Sequence, residues 1–236
     1  IKADLSIKSE VVAVFDQHLD LQAVIHFAAY KAVGESVAKP LEYYNNNLGS
    51  LVYILQEMRA RDLDNFIFSS SCTVYGQAEK LPITEDSPVV PAESPYGNTK
   101  QVGEEIISDA VEAHKFNAIA LRYFNPVGAH PSAKIGELPL GVPLNLVPFV
   151  TQTAAGIREQ LSVFGNDYPT RDGTAIRDYI HVVDLAKAHV VAARRLLEKE
   201  NSENFEVFNL GTGTGSTVLE VIKAFEESTG LDLNYR

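Results

Sequence analysis

Two neighbouring runs decide the fold of this chain: Phe68-Ser69-Ser70-Ser71-Cys72-Thr73-Val74-Tyr75-Gly76 and Ser94-Pro95-Tyr96-Gly97-Asn98-Thr99-Lys100. The first is typical of a strand that ends in small polar residues. The second is typical of a helix start, because Ser94 can cap a helix and Pro95 suits its first position. Tyr96 and Lys100 are four residues apart, so in a helix they share one face. The stretch therefore predicts one site that combines a hydroxyl, a phenol and an ammonium group.

The pairing of a tyrosine with a lysine predicts a general base. A phenol is a poor base at its ordinary pKa of about 10. A cation about 5 Å away, at an effective dielectric constant of about 20, is worth roughly 3 kcal/mol, or about two pKa units. An oxidised nicotinamide ring beside the phenol would add further positive charge. The alternative is an ordinary amphipathic helix that carries Tyr96 and Lys100 by chance; the preceding serine-rich strand end favours the catalytic interpretation.

The composition excludes several classes of partner. The chain has 236 residues, 45% of them hydrophobic and 22% charged, with a mean hydropathy of -0.05, which is ordinary for a soluble globular protein of one large or two small domains. Its net charge of -11 and pI of about 5.0 argue against nucleic acid or an anionic membrane surface as the main partner. An anionic small ligand stays compatible, since a pocket can be locally basic.

The cysteine and histidine content indicates a reducing compartment and no metal. The single Cys72 excludes an intrachain disulfide. Because the chain also has no long apolar run and no signal-peptide pattern, we predict a cytoplasmic protein that does not bind membranes. The six histidines are scattered without metal-ligand spacing, so no metal site is predicted.

The alternation of short β-branched or aromatic runs with longer helical ones predicts an α/β fold with a mostly parallel sheet. Predicted strands are residues 23–27, 65–70, 118–123, 161–164 and 205–210. Predicted helices lie near residues 40–61, 95–114, 147–159, 183–198 and 217–228, the last of them opened by a Thr217-x-x-Glu220 capping box.

The first residues, 1–5, read as the end of a strand that runs into a turn. A dinucleotide-binding sheet needs a first strand and a glycine-rich turn to hold a pyrophosphate, and no such unit precedes Asp4. We therefore expect the chain to begin inside a domain. The run Gly211-Thr212-Gly213-Thr214-Gly215-Ser216 lacks the G-x-G-x-x-G spacing, so we interpret it as a tight strand-to-helix turn.

Three loops are candidates for ligand contacts. Residues 28–31 follow a predicted strand, and their small side chains allow a ligand to approach the backbone, although simple helix packing would need them too. Asn125 precedes Pro126, as ordinary turn residues often do. A Pro/Gly-rich loop extends to about residue 144, a length that usually means function. Arg177 would suit a phosphate in a cleft, although most loop arginines form surface ion pairs.

Six runs together resemble one family. Residues 26–36, 69–76, 94–100, 122–131, 164–168 and 177–186 resemble, in the same order, the motifs of the UDP-glucose 4-epimerases, which are extended short-chain dehydrogenases/reductases. The resemblance covers essentially the whole chain. It implies a Rossmann-like, doubly wound parallel sheet with a smaller mixed α/β substrate domain. It assigns residues 1–124 to the NAD-binding domain and residues 125–236 to a substrate-binding region interleaved with the last elements of that sheet.

The resemblance implies reversible 4-epimerisation of UDP-glucose and UDP-galactose with tightly held NAD. Tyr96 would take the proton from the sugar 4-hydroxyl while C4 passes hydride to NAD, which gives a transient 4-keto sugar. Lys100 would lower the pKa of Tyr96 and bind the nicotinamide ribose. Ser71 would hydrogen-bond the sugar oxygen.

Binding residues are implied by matching position. The cofactor would contact Asp4, Leu5, Phe27, Ala28, Ala29, Tyr30, Lys31, Asn46, Ser71, Tyr96, Lys100 and Phe124. The UDP-sugar would contact Ser71, Cys72, Thr73, Tyr96, Asn125, Asn145, Leu146, Phe164 and Arg177. The resemblance also implies a homodimer formed by helices 40–61 and 95–114, whose apolar stripes fit packing on the sheet equally well.

Some residues depart from the family pattern. Cys72 stands where the family usually has alanine, Ala29-Tyr30 replaces a Gly-Leu pair, and Leu144 replaces an asparagine. The family's glycine-rich phosphate turn and a C-terminal Arg-Arg-x-Gly-Asp segment fall outside residues 1–236. If the polypeptide ends where this chain ends, we expect weak NAD binding and little activity.

Other functions stay open at this stage. A dehydratase needs a carboxylate beside the serine or threonine, where this chain has Cys72-Thr73-Val74, so dehydration is disfavoured. Another UDP-sugar epimerase is harder to separate from this one. A non-catalytic nucleotide-sugar binding module would not need Ser71, Tyr96 and Lys100 together. A longer polypeptide with an appended sugar mutarotase stays possible on this sequence.

Overall fold

The computed structural model describes residues 1–139 and 141–236. In chain order its elements are α1 (Lys8–Gln17), β1 (Val24–His26), α2 (Val33–Ala38), α3 (Pro40–Ala60), β2 (Asn65–Ser71), a 3₁₀ turn (Cys72–Tyr75), α4 (Pro95–His114), β3 (Asn117–Tyr123), β4 (Asn125–Val127), α5 (Leu146–Ala154), β5 (Ile176–Arg177), β6 (Tyr179–His181), α6 (Val182–Leu197), β7 (Phe205–Leu210), β8 (Ser216–Thr217) and α7 (Val218–Thr229).

The chain forms two compact units. The first contains Ile1–Tyr123 and Ala186–Leu210, and the second contains Phe124–Leu185 and Gly211–Arg236. This division concerns the backbone and not ligands, so the assignment of residues 1–124 to a cofactor domain and of residues 125–236 to a substrate region stays a prediction.

The first unit is built on a four-stranded parallel sheet in the order β1-β2-β3-β7. Its register sets Ile67 of β2 beside Ile25 of β1 and Ile119 of β3. The carboxyl ends of all four strands lie at the same edge of the sheet, because parallel strands run in one direction. The predicted α/β class with a parallel sheet is confirmed.

Both faces of this sheet are covered, which is why its strands are almost continuously apolar. Successive side chains point to opposite faces. On β2, Phe66 and Phe68 pack with residues of α1, α3 and α4 such as Leu51 and Ile107. Ile67 instead packs with Ile119 and Leu121 of β3 and with Ala192 and Leu196 of α6.

The second unit has a smaller core and short sheets. Val150 of α5, Leu161, Ile222 of α7 and Leu233 pack together. β4 pairs with β6 in parallel, and β5 pairs with β8 antiparallel. Thr217 caps α7 through the predicted capping box with Glu220, which is confirmed.

Most predicted elements of the first unit are confirmed to within one or two residues, and two in the second unit are not. The predicted strand at residues 161–164 is wrong, because Leu161 forms only an isolated bridge with Tyr235. The Val163 N–H donates to the Arg236 carbonyl at 2.8 Å, and Gly165 then turns the chain with a φ of +87°. The predicted helix at 147–159 is too long, because it ends at Ala154 and Gly156 adopts a φ of +70°.

The start of the chain also differs from the prediction. Residues 1–4 form no strand, and a turn closed by the Ile7 N–H to the Asp4 carbonyl (3.0 Å) leads into α1. Helix α1 escaped prediction because Ile7 at its cap position offers no side-chain hydrogen bond. Within the described ranges, no helix is long and apolar enough to cross a membrane.

Candidate active site

The carboxyl edge of the sheet carries the serine-rich end of β2. Ser71 is the last residue of the strand and pairs with Tyr123, the last residue of β3. It is buried, with an exposed fraction of 6%, and its Oγ accepts a hydrogen bond from the Thr73 N–H at 3.3 Å. The hydroxyl is thereby fixed where the strand gives way to the 3₁₀ turn. Open α/β sheets bind ligands at this edge.

Helix α4 begins beside that edge as the sequence predicts. The Ser94 Oγ accepts a hydrogen bond from the Gly97 N–H at 3.1 Å, and Pro95 occupies the first helical position. Gly97 is needed for close approach, since a Cβ there would lie 3.2 Å from the Ala92 Cβ and 3.4 Å from the Thr73 carbonyl oxygen. The helix start therefore packs directly on the turn that follows Ser71.

Tyr96 and Lys100 lie on the buried face of α4. The Lys100 Nζ donates to the Ser69 carbonyl oxygen at 2.8 Å and lies 4.7 Å from the centre of the Phe68 ring and 6.0 Å from the centre of the Tyr96 ring. The Ser71 hydroxyl lies close enough to the Tyr96 phenol to lower its pKa. The structure thus brings together the three residues that the sequence predicts to be catalytic.

Burial shifts the pKa values of the phenol and of the ammonium group. Burial raises the pKa of Tyr96, the Cys72 thiol adds to the increase, and the hydrogen bond from Ser71 opposes it. Burial also lowers the pKa of Lys100 to about 8, against the opposing effect of the Glu104 carboxylate. Burial is the largest of these effects, so the pKa of Tyr96 is raised in the protein by itself; a lowering by Lys100 together with an oxidised nicotinamide ring stays a prediction.

The same unit also contains a cavity. Its volume is about 590 Å³, within the usual size of small-molecule pockets, and segment 2–7, loop 28–30 and helix α3 line it. Six predicted cofactor contacts line it: Asp4, Leu5, Ala28, Ala29, Tyr30 and Asn46. Sequence reasoning missed Ser6, Glu10 and Ser50, which also line it.

The lining fits a nucleotide. It combines apolar groups with a few polar ones, among them the Asp4 carboxylate, whose pKa is lowered by hydrogen bonds from the Ser6 hydroxyl and N–H. A ribose hydroxyl is a natural partner for such an ionised carboxylate. Phe27 and Lys31, the remaining predicted contacts of this loop, are exposed; the Phe27 ring lies 4.4 Å from the ring of His189.

Asn47 holds the loop in place and was not predicted. Its Oδ1 accepts from the Tyr30 N–H at 2.7 Å, and its Nδ2 donates to the Tyr30 carbonyl at 3.0 Å and to the Thr99 hydroxyl at 3.1 Å. The side chain thus ties loop 28–31 to α4. A signal was present in the sequence, because asparagine is unfavourable inside a helix unless its side chain has a task.

The second unit contains the other predicted substrate contacts. The Asn125 N–H and Nδ2 both donate to the Asp178 carbonyl, at 3.0 and 2.9 Å. Arg177, the residue before Asp178, is exposed and donates to the Ile176 carbonyl. Phe124 immediately precedes β4.

Asn145 and Phe164 lie on separate elements of that unit. Asn145 precedes α5, whose first residue is Leu146, and its Nδ2 donates to Glu137 at 3.0 Å. Phe164 is 83% exposed.

Asp178 explains the glycine-rich run 211–216. Its carboxylate accepts hydrogen bonds from the Thr212 N–H, the Thr212 hydroxyl and the Gly213 N–H, at 2.7–2.9 Å. A Cβ at Gly211 would lie 2.5 Å from this carboxylate. The donors that a phosphate would need are already used, so this run is a turn held by an internal carboxylate. In the part of the chain that the structure describes, no cluster of three or more His, Cys, Asp or Glu side chains could hold a metal.

The pKa of His26 indicates how far water is excluded from the protein interior beside Lys100. It is buried beside Phe66 and Phe68, and its pKa is lowered to about 3, first by burial and then by the charge of Lys100. The pKa in the unfolded chain is near 6.5. The folded protein therefore resists protonation of His26, and stability present above the unfolded pKa is lost as the pH falls toward the folded one.

We expect His26 to cost about 2 kcal/mol of unfolding free energy between pH 7 and pH 5. The glutamine side chain in His26→Gln cannot titrate. This variant should therefore lose about 2 kcal/mol less unfolding free energy than the parent protein between pH 7 and pH 5. Urea unfolding at both pH values measures the difference. The matched control is His18→Gln, whose site is exposed and whose loss should equal that of the parent. Equal losses in all three proteins would contradict the prediction.

Comparisons with known proteins agree with this geometry. Residues 1–211 match the NAD dependent epimerase/dehydratase family. The chain is 53% identical over 236 residues to the UDP-glucose 4-epimerase of Bacillus subtilis (strain 168), covering all of this chain and 68% of that protein. It therefore spans about two thirds of the length of this relative.

Solved structures give the same result. The UDP-glucose 4-epimerase of Bifidobacterium longum in complex with NAD+ and UDP superposes with a TM-score of 0.92 at 47% identity, over 100% of this chain and 69% of that one. The UDP-Glc/GlcNAc 4-epimerase of Campylobacter jejuni superposes with a TM-score of 0.83 at 38% identity, over 100% of this chain and 70% of that one.

Proposed function

The chain belongs to the NAD dependent epimerase/dehydratase family, and we propose that it is an isomerase that interconverts UDP-glucose and UDP-galactose at C4 of the sugar. The observation that carries the proposal is the meeting of Ser71, Tyr96 and Lys100 at the carboxyl edge of the sheet, where the Ser71 hydroxyl lowers the pKa of the Tyr96 phenol and Lys100 is anchored on the Ser69 carbonyl. A binding module would need none of this proton-handling chemistry. The named relatives support the choice of UDP-sugar and of NAD.

Tyr96 acts as base and then as acid. As phenolate it takes the proton of the sugar 4-hydroxyl, and as phenol it returns a proton to the same oxygen after the sugar has presented its other face. Ser71 hydrogen-bonds both the phenol and the sugar oxygen, so it orients the transfer. When bound, oxidised NAD supplies the redox chemistry at C4 and a positive charge near the phenol.

Lys100 stabilises the phenolate and is itself held in place. Its ammonium group is anchored on the Ser69 carbonyl and stays near the Tyr96 ring. Its pKa of about 8 leaves most of the side chain charged at neutral pH. Burial strengthens its attraction for an anionic phenol, since the local dielectric constant is lower than that of water.

The cofactor is held by the cavity of segment 2–7 and loop 28–30. Asp4 and Leu5 contact the adenine part, while residues Phe27 to Lys31 and Asn46 line the rest. The residues fit this role because the cavity is already formed and combines apolar walls with the Asp4 carboxylate.

Each unit carries residues that suit a UDP-sugar. Cys72 and Thr73 contact the sugar; the Thr73 Oγ1 is buried and has no hydrogen-bond partner among the described residues, which favours a ligand hydroxyl there. Asn125 contacts the substrate, and Asn145, Leu146 and Phe164 contact its UDP portion. The exposed guanidinium of Arg177 suits a diphosphate because its planar donors match two oxygens. A single cation and neutral amides suffice, so an acidic protein can bind this anion.

Replacing Tyr96 with phenylalanine tests the mechanism. We expect Tyr96→Phe to lower turnover of UDP-galactose to UDP-glucose by roughly 10²–10⁴-fold, while UDP binding is retained, because only the proton-transfer group is lost. Steady-state kinetics and calorimetric UDP titration measure the two quantities. Tyr235→Phe removes a hydroxyl from a partly exposed tyrosine and is the matched control.

Unchanged turnover in Tyr96→Phe would contradict the proposal. The same assay with UDP-N-acetylglucosamine and UDP-N-acetylgalactosamine decides whether the chain shares the wider substrate range indicated by the name of the Campylobacter jejuni relative.

We also propose a cytoplasmic homodimer. The single Cys72 suits a reducing compartment. Helices α3 and α4 pack on each other and on the sheet through one face, which leaves their outer faces available for a second copy, with Leu41 of α3 77% exposed. Light scattering of the purified protein should give twice the monomer mass of 25.9 kDa. A monomer mass at micromolar concentration would contradict the dimer.

A further inference from the structure

The buried face of α4 carries a third charged residue. Tyr96, Lys100 and Glu104 follow one another at intervals of four, so they form one row along the helix. Their exposed fractions are 8%, 4% and 8%. Glu104 is therefore a buried carboxylate one turn from the ammonium group of Lys100, and the proposed mechanism gives it no task.

Three consecutive serines of β2 contact this row. The Ser69 carbonyl accepts from Lys100, and the Ser70 hydroxyl donates to the Glu104 Oε1. The Ser71 hydroxyl, at the end of the strand, lowers the pKa of Tyr96. The Ser70 side chain points to the α4 face and the Ser69 side chain to the opposite one, where it lies 2.9 Å from the His189 Nε2. The contact between Ser70 and Glu104 therefore lies next to the contacts of Lys100 and Tyr96, and it fixes the position of α4 along β2.

Arg122 completes the arrangement from the next strand. It pairs with Ser70 in the sheet, and its Nε lies 3.0 Å from the Glu104 Oε1, while its Nη2 bonds the Oε2. Its guanidinium also stacks on the Tyr75 ring at 4.8 Å, and the Tyr75 hydroxyl donates to the Asn209 Oδ1 at 2.7 Å. Glu104 thus joins α4, β2 and β3 through a fully buried ion pair.

Several other groups surround the ammonium of Lys100. Glu104 favours its charged form and His26 of β1 is affected by its charge. The titratable and charged groups around Lys100 and its partners are His26 of β1, Cys72 of the 3₁₀ turn, Tyr96 and Glu104 of α4, Arg122 and Tyr123 of β3, and His189 of α6. His26 is neutral near pH 7, and the Glu104 carboxylate raises the pKa of Lys100 against the larger effect of burial.

We propose that Glu104, held by Ser70 and Arg122, is a positioning residue that sets the place and the charge of Lys100 and, through the helix register, the place of Tyr96. The inference rests on the proposed function for its kinetic consequence only. A buried ion pair adds little net stability compared with apolar packing, so its value here lies in the fixed geometry and in the field that it exerts on the ammonium group.

Glu104→Gln tests the inference because it keeps the size of the side chain and removes its charge. We expect the pKa of Lys100 to fall below its present value of about 8, because the carboxylate that favours the ammonium form is gone. NMR titration of lysine side chains, with Lys100→Arg for assignment, measures it without any turnover. In kinetic assays with UDP-galactose, kcat should fall about tenfold and KM should change by less than about twofold.

The control and a second variant keep the test decisive. Glu105→Gln removes an exposed carboxylate from the next position of α4 and should leave the Lys100 titration, kcat and KM unchanged. Ser70→Ala keeps the ion pair with Arg122 and removes only the tie to β2, so it should lower kcat without moving the Lys100 titration. It replaces Glu104→Gln as the deciding variant if the latter does not fold.

A folded Glu104→Gln protein with the parent's Lys100 titration and kcat would overturn the inference, and so would parental kcat in Ser70→Ala if Glu104→Gln does not fold. If the parent protein turns over no UDP-sugar, the proposed function fails, and the Lys100 titration still decides the role of Glu104.

Discussion

The contact between the carboxyl end of β2 and the buried face of α4 is the constraint on which the rest of the structure depends. Ser69, Ser70 and Ser71 close a strand that is otherwise apolar, and each contacts one member of the row Tyr96, Lys100 and Glu104. The covered sheet excludes water from these contacts, because Phe66 and Phe68 pack against the helices on the same face. The geometry of the site is therefore a product of the core and not of a mobile loop.

This burial has a chemical cost as well as a benefit. It raises the pKa of Tyr96 and lowers the pKa of Lys100, and both changes oppose the ion pair that the reaction needs. The Glu104 carboxylate offsets part of the effect on Lys100. The remaining positive charge has to come from the cofactor, so in this account proton transfer is coupled to the presence of oxidised NAD. A phenol that becomes a base only when oxidised NAD is bound does not remove protons in the absence of the cofactor.

Much of the first unit could be predicted because its local signals agree with its packing. The Ser94 cap, the Pro95 start and the four-residue spacing of Tyr96 and Lys100 gave α4, and apolar runs gave β2, β3 and β7. Helix α1 was missed because it lacks a side-chain cap, and the roles of Asn47, Glu104 and Asp178 were missed because their partners are distant in sequence. The effect of burial on the Tyr96 pKa could not be predicted, because Coulomb attraction can be estimated from spacing, whereas burial requires the packed structure.

The most direct test of the account uses UDP-galactose that carries deuterium at C4. In this account the hydrogen removed from C4 during oxidation is kept within the site and returned to C4, while Tyr96 handles only the proton of the hydroxyl. Mass spectrometry and NMR of the UDP-glucose formed in ordinary water should therefore find the deuterium still at C4. Replacement of the label by hydrogen from the solvent would contradict the account, because it would mean that C4 itself is deprotonated by a base in the site.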